Sequence, residues 1–336
     1  MNELFETNDR VFLQWMKDQW GICFKQVRQE FDIQGSPARS LSRAVIETVS
    51  GRLFLLEKFP REKFIVRERV SRTIDHLNGQ GLAQALGGQR TQQGEFLPFF
   101  KGNCFQISPF LDSTGLARPD WLGSAEIGKN MALFLIQMQS ASRDLSGQIS
   151  FTPFSIKSYI LKLFADMRDH EPKMVDRYSP FSDFLGQNFM DVHDRLPQTF
   201  CHGDFHPLNV LWDQHRIRAV IDWEFAGLKP DCYDAANLLG CAGIEDPEGL
   251  AMPMVTTFLG KIRSAGIISP IGWQYFPEYI LALRFAWLSE WLRKKDEQML
   301  ELEAAYMGVL IRHMEELRSI WDSLPPARER LAQCAN

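Results

Sequence analysis

The chain has 336 residues, a length typical of two domains or one bilobal unit, and its 45% apolar and 24% charged residues are those of a globular protein. A formal net charge of −5 is not the excess of positive charge typical of nucleic-acid-binding proteins, so we expect no nucleic-acid partner. The longest apolar stretch, 279–291, is interrupted by Arg284 and Glu290 and is shorter than the ~20 residues that cross a bilayer, so we expect no membrane span.

The N-terminal residues and the cysteines favour a cytoplasmic location. Residues 1–6 lack the basic and apolar regions of a secretory signal. Six cysteines are scattered without a CxxC or a paired histidine spacing, which favours reduced thiols over disulfides or a metal site.

Residues 1–110 are predicted to form mainly antiparallel sheet. Apolar periodicity indicates a first helix with Thr7 or Asp9 as its N-cap, and Ser50-Gly51 between two β-type runs predicts a two-residue hairpin. The predicted elements are a helix at 7–20, strands at 23–27, 42–49 and 52–59, a helix at 61–78, and a hairpin that joins 95–100 to 104–108.

After Trp121 the pattern becomes helical, apart from a strand-loop-strand segment at 198–223. The predicted helices are 123–143, 155–170 and 180–195, with further helices to about 321. Strands followed by helices indicate the α+β class. We predict an N-terminal domain at 1–110, a helical domain at 111–326 and a frayed tail at 327–336.

The segment 198–223 contains oxygen-bearing side chains that suit phosphoryl transfer. This reaction needs a carboxylate for the proton of the acceptor hydroxyl and oxygen ligands for Mg²⁺ beside the phosphates. Asp204 can supply the carboxylate, and Asn209 can return its amide oxygen to the same side of a tight loop. Asp222 ends an apolar run, so its carboxylate is expected at a strand end. Mg²⁺ takes a few hard oxygen ligands of this kind and fills its shell with phosphate and water.

These residues resemble a known enzyme superfamily. His202-x-Asp204-x-x-x-x-Asn209, followed by Asp222, is similar to the catalytic loop and DFG-like element of kinases. Its HGDxHPxN form resembles the aminoglycoside phosphotransferase and choline kinase superfamily. The resemblance implies a bilobal protein-kinase-like fold with ATP between the lobes. It also implies Asp204 as general base, Asn209 and Asp222 as Mg²⁺ ligands, and a structural role for His202 in bracing the loop.

A second motif extends the resemblance to residues 200–236. Residues 227–236 resemble the G-x-P-x-x-D-L-A segment of the superfamily, with one extra residue before Pro230 and Ala235 in place of the usual leucine. The resemblance implies that Asp234 satisfies the backbone amides of the catalytic loop.

The N-terminal domain offers candidates for the phosphate-binding lysine and its glutamate. In kinases a strand lysine pairs with the phosphates and with a helix glutamate. Lys58 lies on a predicted strand and shares a face with Leu56 and Phe54, so we predict that it binds phosphate. Its partner would be Glu68, in preference to Glu62. The alternative is an exposed lysine at the end of the strand.

The predicted phosphate loop, 34–42, contains one glycine and so does not match GxGxxG. Ser36 and Ser40 are its candidate phosphate contacts.

The acceptor site is predicted on a helix at 279–293. Trp287 and Trp291 share a face, with Arg284 one turn before Trp287. These side chains either belong to the core or form a wall for a sugar or amino alcohol, with Arg284 or Glu290 setting charge preference. Glu224 either reaches the metal or substrate or is solvated.

We therefore expect an ATP-dependent phosphotransferase that acts on a hydroxyl of a sugar, amino sugar, amino alcohol or hydroxy amino acid. A protein kinase is disfavoured because the sequence has no DFG or APE segment, and Asp222 and Asp234 are twelve residues apart. A non-catalytic nucleotide-binding module of the same fold stays open because the loop is poor in glycine. The acceptor, the choice of ATP or GTP and the oligomeric state also stay open.

Overall fold

The structure, a computed structural model, describes residues 9–31, 33 and 40–325, without the side chain of Ser146. The strands are β1 Phe24–Val27, β2 Ser42–Thr48, β3 Leu53–Phe59, β4 Phe99–Phe100, β5 Asn103–Pro109, β6 Gln198–Cys201, β7 Val210–Asp213, β8 Arg216–Val220 and β9 Gly227–Pro230. The α-helices are α1 Arg10–Trp20, α2 Phe64–Gly79, α3 Ala125–Ala141, α4 Ile156–His170, α5 Pro172–Asn188, α6 Met190–His193, α7 Tyr233–Glu245, α8 Pro253–Ala265, α9 Pro270–Gln274, α10 Phe276–Lys294, α11 Glu297–Arg312 and α12 Met314–Asp322.

Helix α1 begins and ends as its sequence predicts. The side chain of Asp9 accepts a hydrogen bond from the Val11 amide at 2.8 Å, which confirms Asp9 as the N-cap. Thr7, the other candidate, lies outside the described residues. The helix ends at Gly21, whose φ of 68° is the left-handed conformation that glycine adopts without steric cost.

The N-terminal strands form one antiparallel sheet in the order β1-β2-β3-β5-β4. The predicted hairpin of β2 and β3 is present, but its connection, 49–52, is longer than the predicted two residues. The register places Arg43 opposite Glu57. One face of the sheet packs against α1. That core contains Phe12, Met16, Trp20, Ile46, Phe54, Leu56, Phe105 and Ile107.

Two prolines change the predicted boundaries. Strand β4 is only two residues long because it begins after Pro98, which has no amide hydrogen for the sheet. The helix predicted to start at residue 180 instead begins at Pro172 and continues through Pro180. Proline is favoured in the first turn of a helix. From sequence alone either Pro172 or Pro180 could mark that turn, and the structure places Pro172 there.

The C-terminal part is mainly helical, and two short antiparallel pairs, β6-β9 and β7-β8, lie next to the motif residues. The segment after α2 joins this region to the N-terminal part. Val220 of β8 accepts a hydrogen bond from the Leu86 amide at 3.0 Å and donates to the Gln84 carbonyl at 2.7 Å. The architecture is the predicted α+β arrangement. No helix in the described part of the chain is long and apolar enough to cross a membrane.

Candidate active site

The loop that follows β6 is held by the buried carboxylate of Asp234 in the first turn of α7. Asp234 accepts the backbone amides of His202 at 2.7 Å and Gly203 at 2.8 Å. Burial raises the pKa of Asp234, although His202 and the two amides oppose that shift. Gly203 has a φ of 86°, and a Cβ there would lie 2.2 Å from the Phe225 carbonyl oxygen. Glycine is therefore required at this turn.

His202 braces the loop from inside. Its Nδ1 accepts the Asp204 amide at 3.2 Å, so the ring proton is assigned to Nε2, which lies 2.9 Å from the Ile221 carbonyl oxygen. The side chain is fully buried, and this burial lowers its pKa, which favours the neutral ring. Both ring nitrogens are thus engaged within the protein, and the contact to Ile221 ties the loop to the residue before Asp222.

Asp204 has partners on both carboxylate oxygens. Asn209 Nδ2 donates to Asp204 Oδ2 at 2.9 Å and to the Asp204 carbonyl oxygen at 2.8 Å, and His206 Nε2 lies 3.4 Å from Oδ1. Burial on its own would raise the pKa of Asp204, but the contacts with His206, His202 and Asn209 outweigh it and the pKa is lowered. The side chain keeps 17% of its surface accessible. Asp204 is therefore an ionised carboxylate that a small molecule can approach.

The backbone brings the segment that contains Asp222 to Asn209, and both side chains carry hard oxygen atoms. The Ile221 amide donates to the Asn209 carbonyl oxygen at 2.9 Å, which brings Asp222 beside the loop. Since Asn209 Nδ2 is turned to Asp204, its Oδ1 faces another direction. Asp222 has a φ of 66°, in the left-handed region that Asp tolerates better than most residues.

This donor set fits Mg²⁺. One carboxylate and one amide oxygen match the few protein ligands that Mg²⁺ takes when phosphates complete its shell. The described residues contain no cluster of three or more His, Cys, Asp or Glu side chains that could hold a metal by themselves.

The predicted phosphate-binding residues of the N-terminal domain, Lys58 and Glu68, do not form the predicted pair in the described part of the chain. Lys58 Nζ lies 5.8 Å from the centre of the Phe105 ring, on the sheet face that packs against α1. Glu68 is paired at 2.8 Å with Arg72 in its own helix, and within the described chain no ion pair joins it to Lys58. Ser40 is buried just before β2, and Ser36 lies outside the described residues.

Glu224 is joined to helix α2. Its carboxylate lies 3.6 Å from Arg67 Nη2, and the Arg67 guanidinium lies 4.4 Å from the centre of the Phe59 ring. The sequence did not suggest this contact because Arg67 belongs to no motif. It links α2 to the segment that follows Asp222.

Arg284 cannot contact an acceptor as predicted, since its side chain is only 2% exposed. Its Nη2 donates to Glu303 Oε2 at 2.7 Å and its Nε contacts the other carboxylate oxygen, so the pair is bidentate. Trp291 Nε1 donates to the same Glu303 at 3.1 Å. Arg284 is therefore a core residue.

Trp287, on the same helix, is close to the loop that contains Asp204. Its ring meets the His206 ring edge-to-face with centroids 6.1 Å apart, and it stacks on Trp291 with centroids 5.9 Å apart. Its Nε1 lies 3.4 Å from Asn237 Oδ1, and Asn237 donates to the Phe205 carbonyl oxygen at 3.3 Å. Half-buried, Trp287 is thus placed beside the residues that flank Asp204.

Cavity size does not locate this site. A surface cavity of about 550 Å³ lies between Gln139, Arg143, Thr199 and Ile267, and none of the candidate residues lines it. The chemistry of the side chains is the better guide.

The fold and the loop together define a kinase-like phosphotransferase. The sequence profile of the Phosphotransferase enzyme family matches residues 38–264, more than half of the chain, so the chain belongs to this family. It is therefore a phosphotransferase enzyme.

Solved structures share the fold at low sequence identity. An amicoumacin kinase in complex with AMP-PNP, Ca²⁺ and Ami has a TM-score of 0.64 and 14% identity, with 93% of both chains covered. An aminoglycoside phosphotransferase from Alicyclobacillus acidocaldarius has a TM-score of 0.60 and 15% identity, with 91% of this chain and 92% of that chain covered. The GDP complex of aminoglycoside 2'-phosphotransferase-IIIa has a TM-score of 0.62 and 15% identity, with 95% and 99% covered. A search of curated proteins found no match.

Proposed function

We propose that this protein transfers the γ-phosphate of ATP to a hydroxyl group of a small molecule, with Mg²⁺ at the nucleotide and Asp204 as general base. One observation carries the proposal. The partly accessible carboxylate of Asp204 is held by Asn209 and His206, and the amide of Ile221, the residue before Asp222, donates to the Asn209 carbonyl oxygen. This arrangement supports the proposal, because phosphoryl transfer requires a base and metal ligands close to one another.

Each residue of the site would have a separate role in phosphoryl transfer. Asp204 accepts the proton of the acceptor hydroxyl. The hydroxyl oxygen forms the new bond to the γ-phosphorus while the bond between the γ-phosphorus and ADP breaks. The lowered pKa keeps this carboxylate ionised at neutral pH, ready to orient the hydroxyl. Asn209 Oδ1 and Asp222 would hold Mg²⁺, which offsets the charge of the β- and γ-phosphates. His202 and Asp234 keep the loop in shape.

The acceptor would bind against Trp287. Its half-buried ring beside His206 offers an apolar wall next to Asp204, which suits the face of a sugar, amino sugar, amino alcohol or hydroxy amino acid. Three of the similar structures are named as enzymes that phosphorylate amicoumacin, spectinomycin and an aminoglycoside. We therefore include such compounds among the candidate acceptors.

The test combines ATP binding with a survey of acceptors. ATP affinity would be measured with and without Mg²⁺, and ADP release would be followed with a panel of hydroxylated small molecules and with a mixed protein substrate. We expect Mg²⁺-dependent ATP binding, slow hydrolysis and faster ADP release with one class of small molecule. ATP binding without Mg²⁺ dependence and without hydrolysis would instead indicate a non-catalytic module, and transfer only to protein would indicate a protein kinase.

A further inference from the structure

The two faces of strand β3 carry opposite charges. Successive side chains of a strand point to opposite faces, so Lys58 shares its face with Phe54 and Leu56, while Glu57 shares the other face with Phe59. The first of these faces packs against α1 in one hydrophobic core. Lys58 extends over Phe105, which lies directly opposite it on β5. The lysine is therefore on the side of the sheet that α1 covers.

The opposite face is the one directed toward the catalytic loop. Phe59 on this face lies under the Arg67 guanidinium, at 4.4 Å, and Arg67 pairs with Glu224 at 3.6 Å. Glu224 follows Asp222, the predicted metal ligand, by two residues. A nucleotide whose phosphates reach Asp222 would meet the face of the sheet that carries Glu57.

Glu57 is itself an obstacle to phosphate unless a cation accompanies it. The cation is Arg43, its cross-strand neighbour on β2, whose Nε lies 2.8 Å from Glu57 Oε1. The two groups form an ion pair, but their atoms are not aligned as a hydrogen bond. The N–H groups of Arg43 can therefore donate to another acceptor. Arg43 stays partly exposed, whereas Glu57 is buried.

We propose that Arg43, oriented by Glu57, is the cation of the N-terminal sheet that binds the nucleotide phosphates, and that Lys58 is not. The inference rests on the proposed function. A carboxylate on the strand would orient the arginine, as a helix glutamate orients the strand lysine of other kinases. The planar guanidinium can contact a carboxylate on one side and present further N–H groups to phosphate on another. The position of Arg43, second in β2, puts it at the end of the sheet next to the β1–β2 connection.

The test compares Arg43→Met with its matched control, Lys58→Met. Dissociation constants for ATP and adenosine, measured with Mg²⁺, separate phosphate recognition from recognition of the nucleoside. Arg43→Met should weaken ATP binding about 10-fold or more, the scale of a hydrogen bond to a charged group, and leave adenosine binding within about twofold. Lys58→Met should change neither constant by more than about twofold. The double variant Arg43→Met/Glu57→Met removes the buried carboxylate too and replaces the single variant if that one does not fold.

Each other outcome has a separate meaning. If Lys58→Met loses the preference for ATP over adenosine while Arg43→Met keeps it, the proposal is overturned and the lysine is the phosphate ligand. If Arg67→Met alone loses that preference, helix α2 supplies the cation and the proposal again fails. Equal losses for ATP and adenosine with a lower melting temperature would make Arg43–Glu57 a structural pair. A wild-type protein with no preference for ATP over adenosine would contradict the proposed function itself.

Discussion

Two groups of buried charge lie beside helix α10, and they differ in what their polar atoms contact. Arg284 and Glu303 form a bidentate pair, 2% and 0% exposed, whose members contact only the protein around them. Asp204 is also largely buried and hydrogen-bonded, but 17% of its side chain is accessible and its partners, His206 and Asn209, belong to the same loop. One group is enclosed in the core, and the other leaves a carboxylate partly accessible.

The comparison shows that burial and charge do not by themselves identify a reactive group. A buried ion pair gains little stability over apolar residues of the same shape, but removing one partner leaves an unpaired charge, which is costly. The Asp204 loop is held mainly through backbone amides and the Asn209 amide, so its carboxylate can change partners without loss of the fold. Substitutions in the two groups should therefore separate activity from stability.

The largest effect is expected at Asp204. Asp204→Asn should lower kcat with the best acceptor by about 10²–10⁴, because the amide cannot take the hydroxyl proton. Nucleotide affinity and melting temperature should stay close to wild type. Steady-state kinetics and thermal unfolding check both statements, and a variant with more than half of wild-type kcat would remove Asp204 from the role of base.

The next effect is on stability. Arg284→Met should lower the free energy of unfolding by about 3–5 kcal/mol, because Glu303 would be left buried without its partner. The double variant Arg284→Met/Glu303→Leu serves as the control and should recover most of the loss. Chemical denaturation measures both. If Arg284→Met instead keeps full stability and raises only the acceptor KM, the arginine reaches the acceptor after all.

A smaller effect is expected at Trp287, on the same helix. Trp287→Ala should raise the acceptor KM about three- to tenfold, the scale of an aromatic contact, and leave ATP affinity unchanged. Trp291→Ala is the matched control, since that ring stacks on Trp287 and donates to Glu303. A fall in melting temperature with no change in acceptor KM for Trp287→Ala would assign the ring to the core.

The contact of Asn209 with Asp204 could be predicted from sequence because it is short-range, whereas the contacts of the loop with Asp234 and Ile221 join distant segments. Asn209 reaches Asp204 across five residues of one loop, and a motif records such a local arrangement directly. The existence of the β2–β3 hairpin was predictable for the same reason, but its connection, 49–52, is longer than the predicted two-residue turn and shifts the register. A two-residue turn at Ser50-Gly51 would instead pair Arg43 with Lys58, so the observed pairing of Arg43 with Glu57 does not follow from the predicted turn.

The missed features depend on long-range packing. The alternation of side chains correctly placed Lys58 with Leu56 and Phe54, but it could not say that α1 would cover that face. Similarly, the spacing of Arg284 and Trp287 predicted one stripe on a helix, but Glu303, nineteen residues after Arg284, takes the arginine into the core. Which face is buried depends on neighbouring elements, and the sequence of a single segment does not predict which elements these are.

The central claim is that Asp222 and Asn209 hold the metal beside the nucleotide, and it can be tested without knowledge of the acceptor. The measurement is the ratio of ATP affinities with and without Mg²⁺ for wild type, Asp222→Ala, Asn209→Ala and, as a control, Asp204→Asn. We predict that Asp222→Ala loses the enhancement by Mg²⁺, that Asn209→Ala loses part of it because an amide has no formal charge, and that Asp204→Asn keeps most of it. The same Mg²⁺ enhancement in Asp222→Ala as in wild type would contradict the account.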